Sequence, residues 1–334
     1  MLLRCLQHTL NSPQRWLAGV LLLVTLVPAD VFSGSRLYAA ESAEPIPWRV
    51  HQQQREQAVL ARQAEFVAAL APRVTEGNLG GVPVLWVRPP DWVDKGKLVL
   101  YTHGGGYVML SARSTLASSA LVAHRSGLQV VSVDYTLAPH SRWRETTGQV
   151  VAVFEALLEE GYTPADIVMY GDSAGGGLAA GSVLRMRDQG LAMPAALVLW
   201  SPWSDLSDHG QGGARQPGDQ AGLDPAYLQQ AAAAYADPGD QKHPWVSPVY
   251  ADYTAGFPPT LIQGSTAERL LDSIVRHYRA LDNSSQRVWL DLYPDAVHVF
   301  QVHQAGSSHA EMALNKSVAF MRRHLGVGAD SATR

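Results

Sequence analysis

The sequence predicts an α/β protein in which a mostly parallel central sheet is covered by helices on both faces. Short apolar segments typical of buried strands alternate with longer segments in which apolar residues recur at helical spacing. Polar residues that could carry chemistry follow directly after several of the apolar segments. Because the carboxyl ends of parallel strands meet at one edge of a sheet, we expect the functional site at that edge.

Composition limits the functions that this chain could have. The 334 residues are enough for one large α/β domain or two smaller domains, and 46% hydrophobic with 17% charged residues is typical of a globular core. The net charge of −4, without a cluster of basic and aromatic residues, argues against nucleic acid as a partner. The single cysteine, Cys5, excludes an intramolecular disulfide and a cysteine-based zinc site.

Residues 1–40 differ in composition from the rest of the chain. Two arginines precede an apolar run at 16–27, which is shorter than the ~20 residues of a spanning helix and is followed by small residues. This pattern predicts a secretory signal peptide cleaved after Ala29 or Ala40. We therefore expect an exported protein, periplasmic or secreted, with no stable membrane span after cleavage. The alternative is an uncleaved N-terminal membrane anchor.

The predicted elements follow one another as strand and helix along most of the chain. Strands are predicted at 82–88, 97–102, 129–134, 167–170, 195–200, 260–264 and 288–293. Helices are predicted at 50–70 (one or two), 114–124, 148–160, 178–186, 226–235, 268–281 and 312–325. A polar, glycine-containing segment at 207–222 predicts a loop.

The turn between strand 167–170 and the next helix has the pattern G-x-S-x-G. Its residues are Gly171, Asp172, Ser173, Ala174 and Gly175. A strand that turns abruptly into a helix holds its middle residue in a strained conformation, with small neighbours leaving room for the turn. The turn thereby pushes the Ser173 hydroxyl out above the sheet, at a helix N-terminus that favours negative charge, which is the position of a nucleophile. The competing interpretation is a glycine-rich turn with an idle serine.

A serine nucleophile needs a base, and His298 is the first candidate. It follows the last predicted strand, in a loop that could cover the sheet edge. His103 also follows a strand, but the three glycines after it suggest that its ring braces the loop. His103 is therefore the second candidate.

The base in turn needs an orienting carboxylate. Glu268 is the first carboxylate after strand 260–264, and Asp272 lies about one helical turn further. Asp291 and Asp295 flank the histidine loop. Glu268 could instead be a solvated residue in the first turn of a helix. The order Ser173, Glu268, His298 is that of a Ser-Asp/Glu-His triad in α/β-hydrolases.

Attack on an ester carbonyl creates an oxyanion, which needs preplaced hydrogen-bond donors. The run from His103 through Gly104, Gly105 and Gly106 offers backbone N–H groups that no side chain blocks, and Ala174 offers another. The glycines match neither a dinucleotide-binding G-x-G-x-x-G opening a helix nor a P-loop.

Taken together, these motifs resemble the hormone-sensitive-lipase-like esterases, which are bacterial family IV of the α/β-hydrolase fold. The resemblance covers residues 80–325. The matching segments are 103–106, 134–139, 171–176, 201–206, 247–248, 268–272 and 298–300.

The resemblance implies a role for each matching residue. Ser173 would be the nucleophile, His298 the base and Glu268 the acid. The remaining matches are the oxyanion donors Gly105, Gly106 and Ala174, and the supporting residues His103, Gly104, Gly171, Asp172 and Gly175.

The resemblance also implies a domain division. Residues 41–78 and 204–236 would form a helical cap, 79–203 and 237–326 the catalytic domain, and 327–334 a flexible tail. The segment 140–144 departs from the family pattern at a place expected beside the pocket.

We therefore expect a serine carboxylesterase that hydrolyses acyl esters of small molecules through an acyl-enzyme, without metal or cofactor. The preference for short to medium acyl chains is implied by the family. A lactonase, deacetylase or amidase using the same triad is the alternative, and an oligomer is possible. A non-catalytic ligand-binding protein is a more distant alternative, because receptors of that kind lose the histidine that this chain retains at His298.

Overall fold

A computed structural model describes residues 45–209 and 223–328 of the chain. The predicted signal peptide at 1–40 lies outside the described residues, as do most of the predicted loop at 207–222 and most of the predicted tail. Within the described ranges, no helix combines the length and apolarity needed to cross a membrane.

The described chain folds around one twisted sheet, as the alternation of strands and helices predicts. Eight strands lie in the order β1-β2-β4-β3-β5-β6-β7-β8; β2 is antiparallel to both of its neighbours, and all other pairs are parallel. The strands are β1 (Arg73–Leu79), β2 (Val82–Arg88), β3 (Leu98–Thr102), β4 (Gln129–Val133), β5 (Ile167–Asp172), β6 (Ala196–Trp200), β7 (Thr260–Ser265) and β8 (Val288–Tyr293).

Helices cover both faces of the sheet, so the central strands are buried on both sides. In β3, Leu98 and Leu100 point into one apolar cluster while Val99 and Tyr101 point into the other. Double-sided burial explains why these strands are continuously apolar. The helices are α1 (Trp48–Leu70), α2 (Leu116–Ser126), α3 (Trp143–Glu159), α4 (Ala174–Asp188), α5 (Pro225–Tyr235), α6 (Leu271–Asn283), α7 (Phe300–His303) and α8 (Ser308–His324).

One strand was missed by the sequence prediction. Residues of β1 pair with β2 across the turn Gly80-Gly81, so part of the segment 41–78 expected in the cap belongs to the sheet. This strand lies at the sheet edge and buries only Leu79, so it lacks the apolar pattern that identifies the other strands.

Several predicted helix starts also differ from the structure. The helix expected from 148 begins at Trp143, and the helix expected from 312 begins at Ser308. The helix expected from 268 begins at Leu271, which leaves Glu268 in the turn between β7 and α6. These differences arise at polar first turns, where periodicity gives little signal.

Helices α1 and α5 lie together over the carboxyl edge of the sheet. The N–H of Ile46 donates to Oε1 of Gln230 at 2.9 Å, and the ring of Trp48 contacts that of Tyr227 edge-on. The side-chain amide of Gln63 connects α1 to α2. It donates to the Arg113 carbonyl at 2.8 Å and accepts from the Ala117 N–H at 2.9 Å. This places two helices above the predicted site, where the cap was expected.

Candidate active site

Ser173 occupies the sharp turn between β5 and α4. Its backbone has φ 54° and ψ −124°, a left-handed conformation that is strained for a residue with a side chain. Its N–H donates to the Trp200 carbonyl at 2.9 Å, and its carbonyl accepts from the Trp203 N–H at 2.8 Å. A Cβ on Gly175 would lie 2.1 Å from the Thr102 carbonyl oxygen, so this close turn requires glycine there. The strained turn predicted from the sequence is present.

Ser173, His298 and Glu268 form one line of hydrogen bonds. The Ser173 Oγ lies 2.8 Å from Nε2 of His298, and Nδ1 of His298 lies 2.7 Å from Oε2 of Glu268. Because a carboxylate only accepts, Nδ1 carries the hydrogen and Nε2 is left to accept from the serine hydroxyl. The side chains come from three different strand ends, after β5, β8 and β7. This arrangement can take a proton from Ser173.

Glu268 is buried and its second oxygen is also occupied. Only 1% of the residue is exposed, so a solvated first-turn residue is excluded. Its Oε1 accepts from the Ser265 N–H at 2.7 Å and from the Ser201 hydroxyl at 2.9 Å. Three donors therefore hold the carboxylate with its Oε2 toward His298.

Two of the other candidate carboxylates are engaged elsewhere. Asp272 pairs with Arg276 at 2.6 Å, and Asp291 pairs with Lys316 at 3.1 Å. The side chain of Asp272 is 44% exposed. Among the carboxylates weighed from the sequence, Glu268 is the one that contacts His298.

His103 braces the glycine loop, as its sequence position suggests. Its Nδ1 donates to the Gly104 carbonyl at 2.7 Å, and its ring stacks on Tyr135 with the ring centroids 4.2 Å apart. The Tyr135 hydroxyl in turn donates to the His103 carbonyl at 2.8 Å. Burial lowers the pKa of His103, so the ring is neutral. Its role is to hold the loop, while His298 contacts Ser173.

Asp172 connects the serine turn to the glycine loop. Its Oδ1 accepts from the Tyr101 hydroxyl at 2.5 Å and from the Gly104 N–H at 3.3 Å. A Cβ on Gly104 would lie 2.4 Å from Oδ2 of Asp172. Burial raises the pKa of this carboxyl, and the hydrogen bond from Tyr101 opposes the shift. Asp172 thus fixes where the loop begins.

The glycine loop and the start of α4 present unused N–H groups at the site. The N–H groups of Gly105, Gly106 and Ala174 donate to no acceptor in residues 45–209 or 223–328. Gly105 has φ 116°, and a Cβ there would lie 2.2 Å from the Met109 carbonyl oxygen. A side chain at Gly105 would therefore displace the loop. Unused donors beside the serine are what an oxyanion requires.

Three residues of the site escaped the sequence prediction. Ser201 and Ser265 both donate hydrogen bonds to Glu268. Ser265 is the last residue of β7 and Ser201 directly follows β6, so their positions at strand ends could have identified them as candidates. His303 donates from Nδ1 to the His298 carbonyl at 2.9 Å. Burial, with smaller effects from the charges of His298 and Arg62, lowers the pKa of His303 to about 4. It is therefore a neutral ring next to the base.

The segment 140–144 lies away from the pocket, which corrects the expectation from the sequence. Arg142 pairs with Asp237 at 2.8 Å, and Nε1 of Trp143 donates to Oδ2 of Asp240 at 2.9 Å. These contacts tie the start of α3 to the chain after α5, and no residue of 140–144 lines the cavity. The departure from the family pattern therefore anchors a structural connection.

A cavity opens beside the Ser173 hydroxyl, beneath α1. It has a volume of about 840 Å³, which includes space open to solvent. Most of the surface of its wall is apolar, and the apolar side chains that line it are Val59, Met109, Leu110, Ala117, Val299 and Val302. The polar side chains of the wall are those of Arg55, Arg62, Gln63, Asp172 and His303, with the hydroxyl groups of Ser114, Thr115, Ser118 and Ser173. An apolar group next to the serine would thus be buried.

Comparison with known proteins agrees with this fold. The family described as alpha/beta hydrolase fold matches residues 99–302. The chain is 33% identical to an acetyl-hydrolase of Streptomyces hygroscopicus, over 75% of this chain and 87% of that protein. It is 34% identical to an esterase of Acinetobacter venetianus, over 65% of this chain and 72% of that protein. The structure resembles a hormone-sensitive lipase from a metagenome library with a TM-score of 0.72 and 28% identity, covering 84% of this chain and 94% of that one.

Proposed function

Because this chain belongs to the alpha/beta hydrolase fold family and is a carboxylic ester hydrolase of its hormone-sensitive-lipase-like group, we propose that it cleaves short- to medium-chain acyl esters through an acyl-enzyme on Ser173. The observation that supports this most directly is the hydrogen-bonded line from Ser173 through His298 to Glu268. All three residues are at least 92% buried. Such a site excludes most water while keeping the base in contact with the nucleophile.

In the first step His298 takes the hydroxyl proton through Nε2 as Ser173 Oγ attacks the carbonyl carbon. The imidazolium that forms is stabilised by Glu268, which already accepts from Nδ1 at 2.7 Å. The carboxylate does not take the proton; it fixes the tautomer and the ring orientation. Ser201 and Ser265 keep Glu268 in place during this step.

The negative charge on the carbonyl oxygen is stabilised by the N–H groups of Gly105, Gly106 and Ala174. Their lack of acceptors in the described residues supports this role. Because the loop is held by His103 and Asp172, the donors need little rearrangement as charge develops. His298 then gives its proton to the leaving alcohol, and water, activated by the same ring, releases the acid from Ser173.

Two observations support the proposed range of acyl chains: the lining of the cavity and the similarity to an acetyl-hydrolase. Met109, Leu110 and Val302 supply apolar contact for a short hydrocarbon chain near Ser173. Helix α1 covers this space, so a long chain would have to pass its side chains. The relative named acetyl-hydrolase fits a small acyl group.

We also propose that the protein is exported, from the pattern of residues 1–40. Mass spectrometry of the intact protein from cell fractions tests this. A mature chain starting after Ala29 or Ala40 in the periplasm or medium is expected. A full-length chain that stays in the membrane fraction would favour the anchor.

A rate profile with covalent labelling tests the catalytic proposal. We expect 4-nitrophenyl esters from acetate to octanoate to be cleaved faster than laurate and palmitate, with lactones and an anilide as slower substrates. A fluorophosphonate probe is expected to add one group at Ser173, and Ser173→Ala should lose both label and activity while keeping its thermal unfolding. Near-normal hydrolysis by Ser173→Ala would contradict the proposal, and a faster lactone or anilide would revise the substrate class.

A further inference from the structure

Two guanidinium groups line the cavity beside Ser173. Arg55 and Arg62 lie on α1 at the spacing that places them on one face of the helix, with Val59 between them. Both arginine side chains are partly buried rather than fully exposed. The cavity wall thus combines apolar side chains with two cationic side chains on α1, and Asp172 adds a carboxyl group.

Arg62 has no counter-ion in the described part of the chain. It makes neither an ion pair nor a hydrogen bond with residues 45–209 or 223–328. Its charge nevertheless reaches the site, since it contributes to lowering the pKa of His303. A guanidinium in a partly desolvated wall favours a bidentate carboxylate partner.

The acidic groups close to the cavity are already engaged. Asp172, a carboxylate of the cavity wall, is held by the Tyr101 hydroxyl and the Gly104 N–H. Glu56, on the same helix as the arginines, accepts from the Ser111 hydroxyl at 2.6 Å. Neither of these two acidic groups forms an ion pair with Arg62, so the guanidinium of Arg62 keeps its charge.

We propose that the preferred ester carries a carboxylate away from its scissile bond, and that Arg62 binds that carboxylate. This inference rests on the ester hydrolase function proposed above and names the class of its substrate. Coulombic attraction in a partly buried site lowers KM for such an ester relative to a neutral one of similar length. The apolar wall then contacts the chain between the two groups.

Matched esters test the proposal on the complete protein. The acyl arm compares 4-nitrophenyl hydrogen succinate and glutarate with 4-nitrophenyl butyrate and valerate, after subtraction of uncatalysed hydrolysis. The alcohol arm compares 4-acetoxybenzoate with its methyl ester. We expect the anionic member of at least one pair to have the higher kcat/KM, and the arm that shows it identifies which side of the ester bears the carboxylate.

Substitution of the arginine identifies the group responsible. In Arg62→Gln the ratio of kcat/KM for the anionic ester to that for the neutral ester should fall about tenfold, mostly through KM. Arg62→Lys should retain part of the ratio, because a charge remains without the planar fork. Arg49→Gln, an exposed arginine on the same helix, is the control and should leave the ratio unchanged.

The outcomes separate the two proposals. A neutral ester preferred in both arms, or an unchanged ratio in Arg62→Gln, would overturn the cationic-wall inference while leaving the esterase mechanism intact. Wild-type protein that cleaves no ester and takes no fluorophosphonate label would instead contradict the proposed function itself, and the inference would fall with it.

Discussion

Ser201 donates its hydroxyl hydrogen to Oε1 of Glu268 across 2.9 Å, and its oxygen accepts the N–H of Val299 at 3.2 Å. One serine at the end of β6 thereby connects the acid to the residue that follows His298. Glu268 and His298 come from different loops, and Ser201 contacts both of these loops. We therefore expect Ser201 to act in catalysis by positioning Glu268 and His298.

Ser201→Ala should lower kcat for 4-nitrophenyl butyrate about tenfold with little change in KM. Loss of a hydrogen bond to a charged group costs about 1.5 kcal/mol, and Glu268 is freer to move without it. Steady-state kinetics with thermal unfolding checks this.

Ser182→Ala is the control, because Ser182 is also a buried serine but makes no hydrogen bond in the described residues. Its kcat should stay at the wild-type value. Equal rates for Ser201→Ala and Ser182→Ala would show that the link through Ser201 does not position Glu268.

Glu268→Gln should reduce kcat about 10³-fold or more. The glutamine amide can donate to Nδ1 of His298, which would put the ring hydrogen on Nε2 and leave no acceptor for the Ser173 proton. Rates on 4-nitrophenyl butyrate across pH 6 to 9 measure the effect.

Asp272→Asn is the matched carboxylate substitution. Asp272 pairs with Arg276 and does not touch His298, so a change of no more than about threefold is expected. If Asp272→Asn lost more activity than Glu268→Gln, the role of the acid would move to Asp272.

Gly105→Ala should lower kcat about 10²-fold. The added Cβ would meet the Met109 carbonyl oxygen at 2.2 Å, and the positive φ of 116° also disfavours alanine, so the loop must shift its N–H donors. Kinetics on the acetyl and butyryl esters gives the result.

Gly81→Ala controls for backbone strain alone. Gly81 has φ 82° in the turn between β1 and β2, and its Cβ would meet nothing within 4 Å. This variant should lose some stability but keep its kcat. A similar loss of kcat in both variants would indicate a general effect of stability rather than of the oxyanion donors.

Sequence reasoning found the parts of the site whose signal is local. The turn at Ser173 is visible because its glycines and its flanking apolar strand are contiguous, and His298 because it follows the last buried strand. The central strands are visible for the same reason, since burial on both faces makes them continuously apolar.

The remaining features depend on contacts between distant segments. Ser201 and Glu268 are 67 residues apart, so no local pattern shows that they form a hydrogen bond. The edge strand β1 buries too little apolar surface to be recognised. The segment 140–144 could be noticed as unusual, but only its partners Asp237 and Asp240 reveal that it connects the start of α3 to the chain after α5.

Buried neutral histidines should make the fold sensitive to mild acid. His277 accepts from the Ser204 hydroxyl through Nδ1 and donates to the Tyr253 oxygen through Nε2, each at 2.9 Å. Burial lowers its pKa from the ordinary value of 6.5 to about 3. Between these values the unfolded chain binds a proton that the folded chain does not. Its contribution to stability is therefore complete above pH 6.5 and is lost progressively as the pH falls toward 3.

At pH 5.0 this one residue should cost about 2 kcal/mol of unfolding free energy relative to pH 7.5. Urea denaturation at the two pH values measures the loss of unfolding free energy. In His277→Gln the difference in unfolding free energy between pH 7.5 and pH 5.0 should be smaller than in the wild type by about 2 kcal/mol, whatever the stability of the variant at pH 7.5. His140→Gln, which replaces an exposed histidine, should leave the difference unchanged. If His277→Gln kept the full wild-type difference, acid sensitivity would have to come from other groups, of which His303 is the next to test, because its pKa is lowered to about 4.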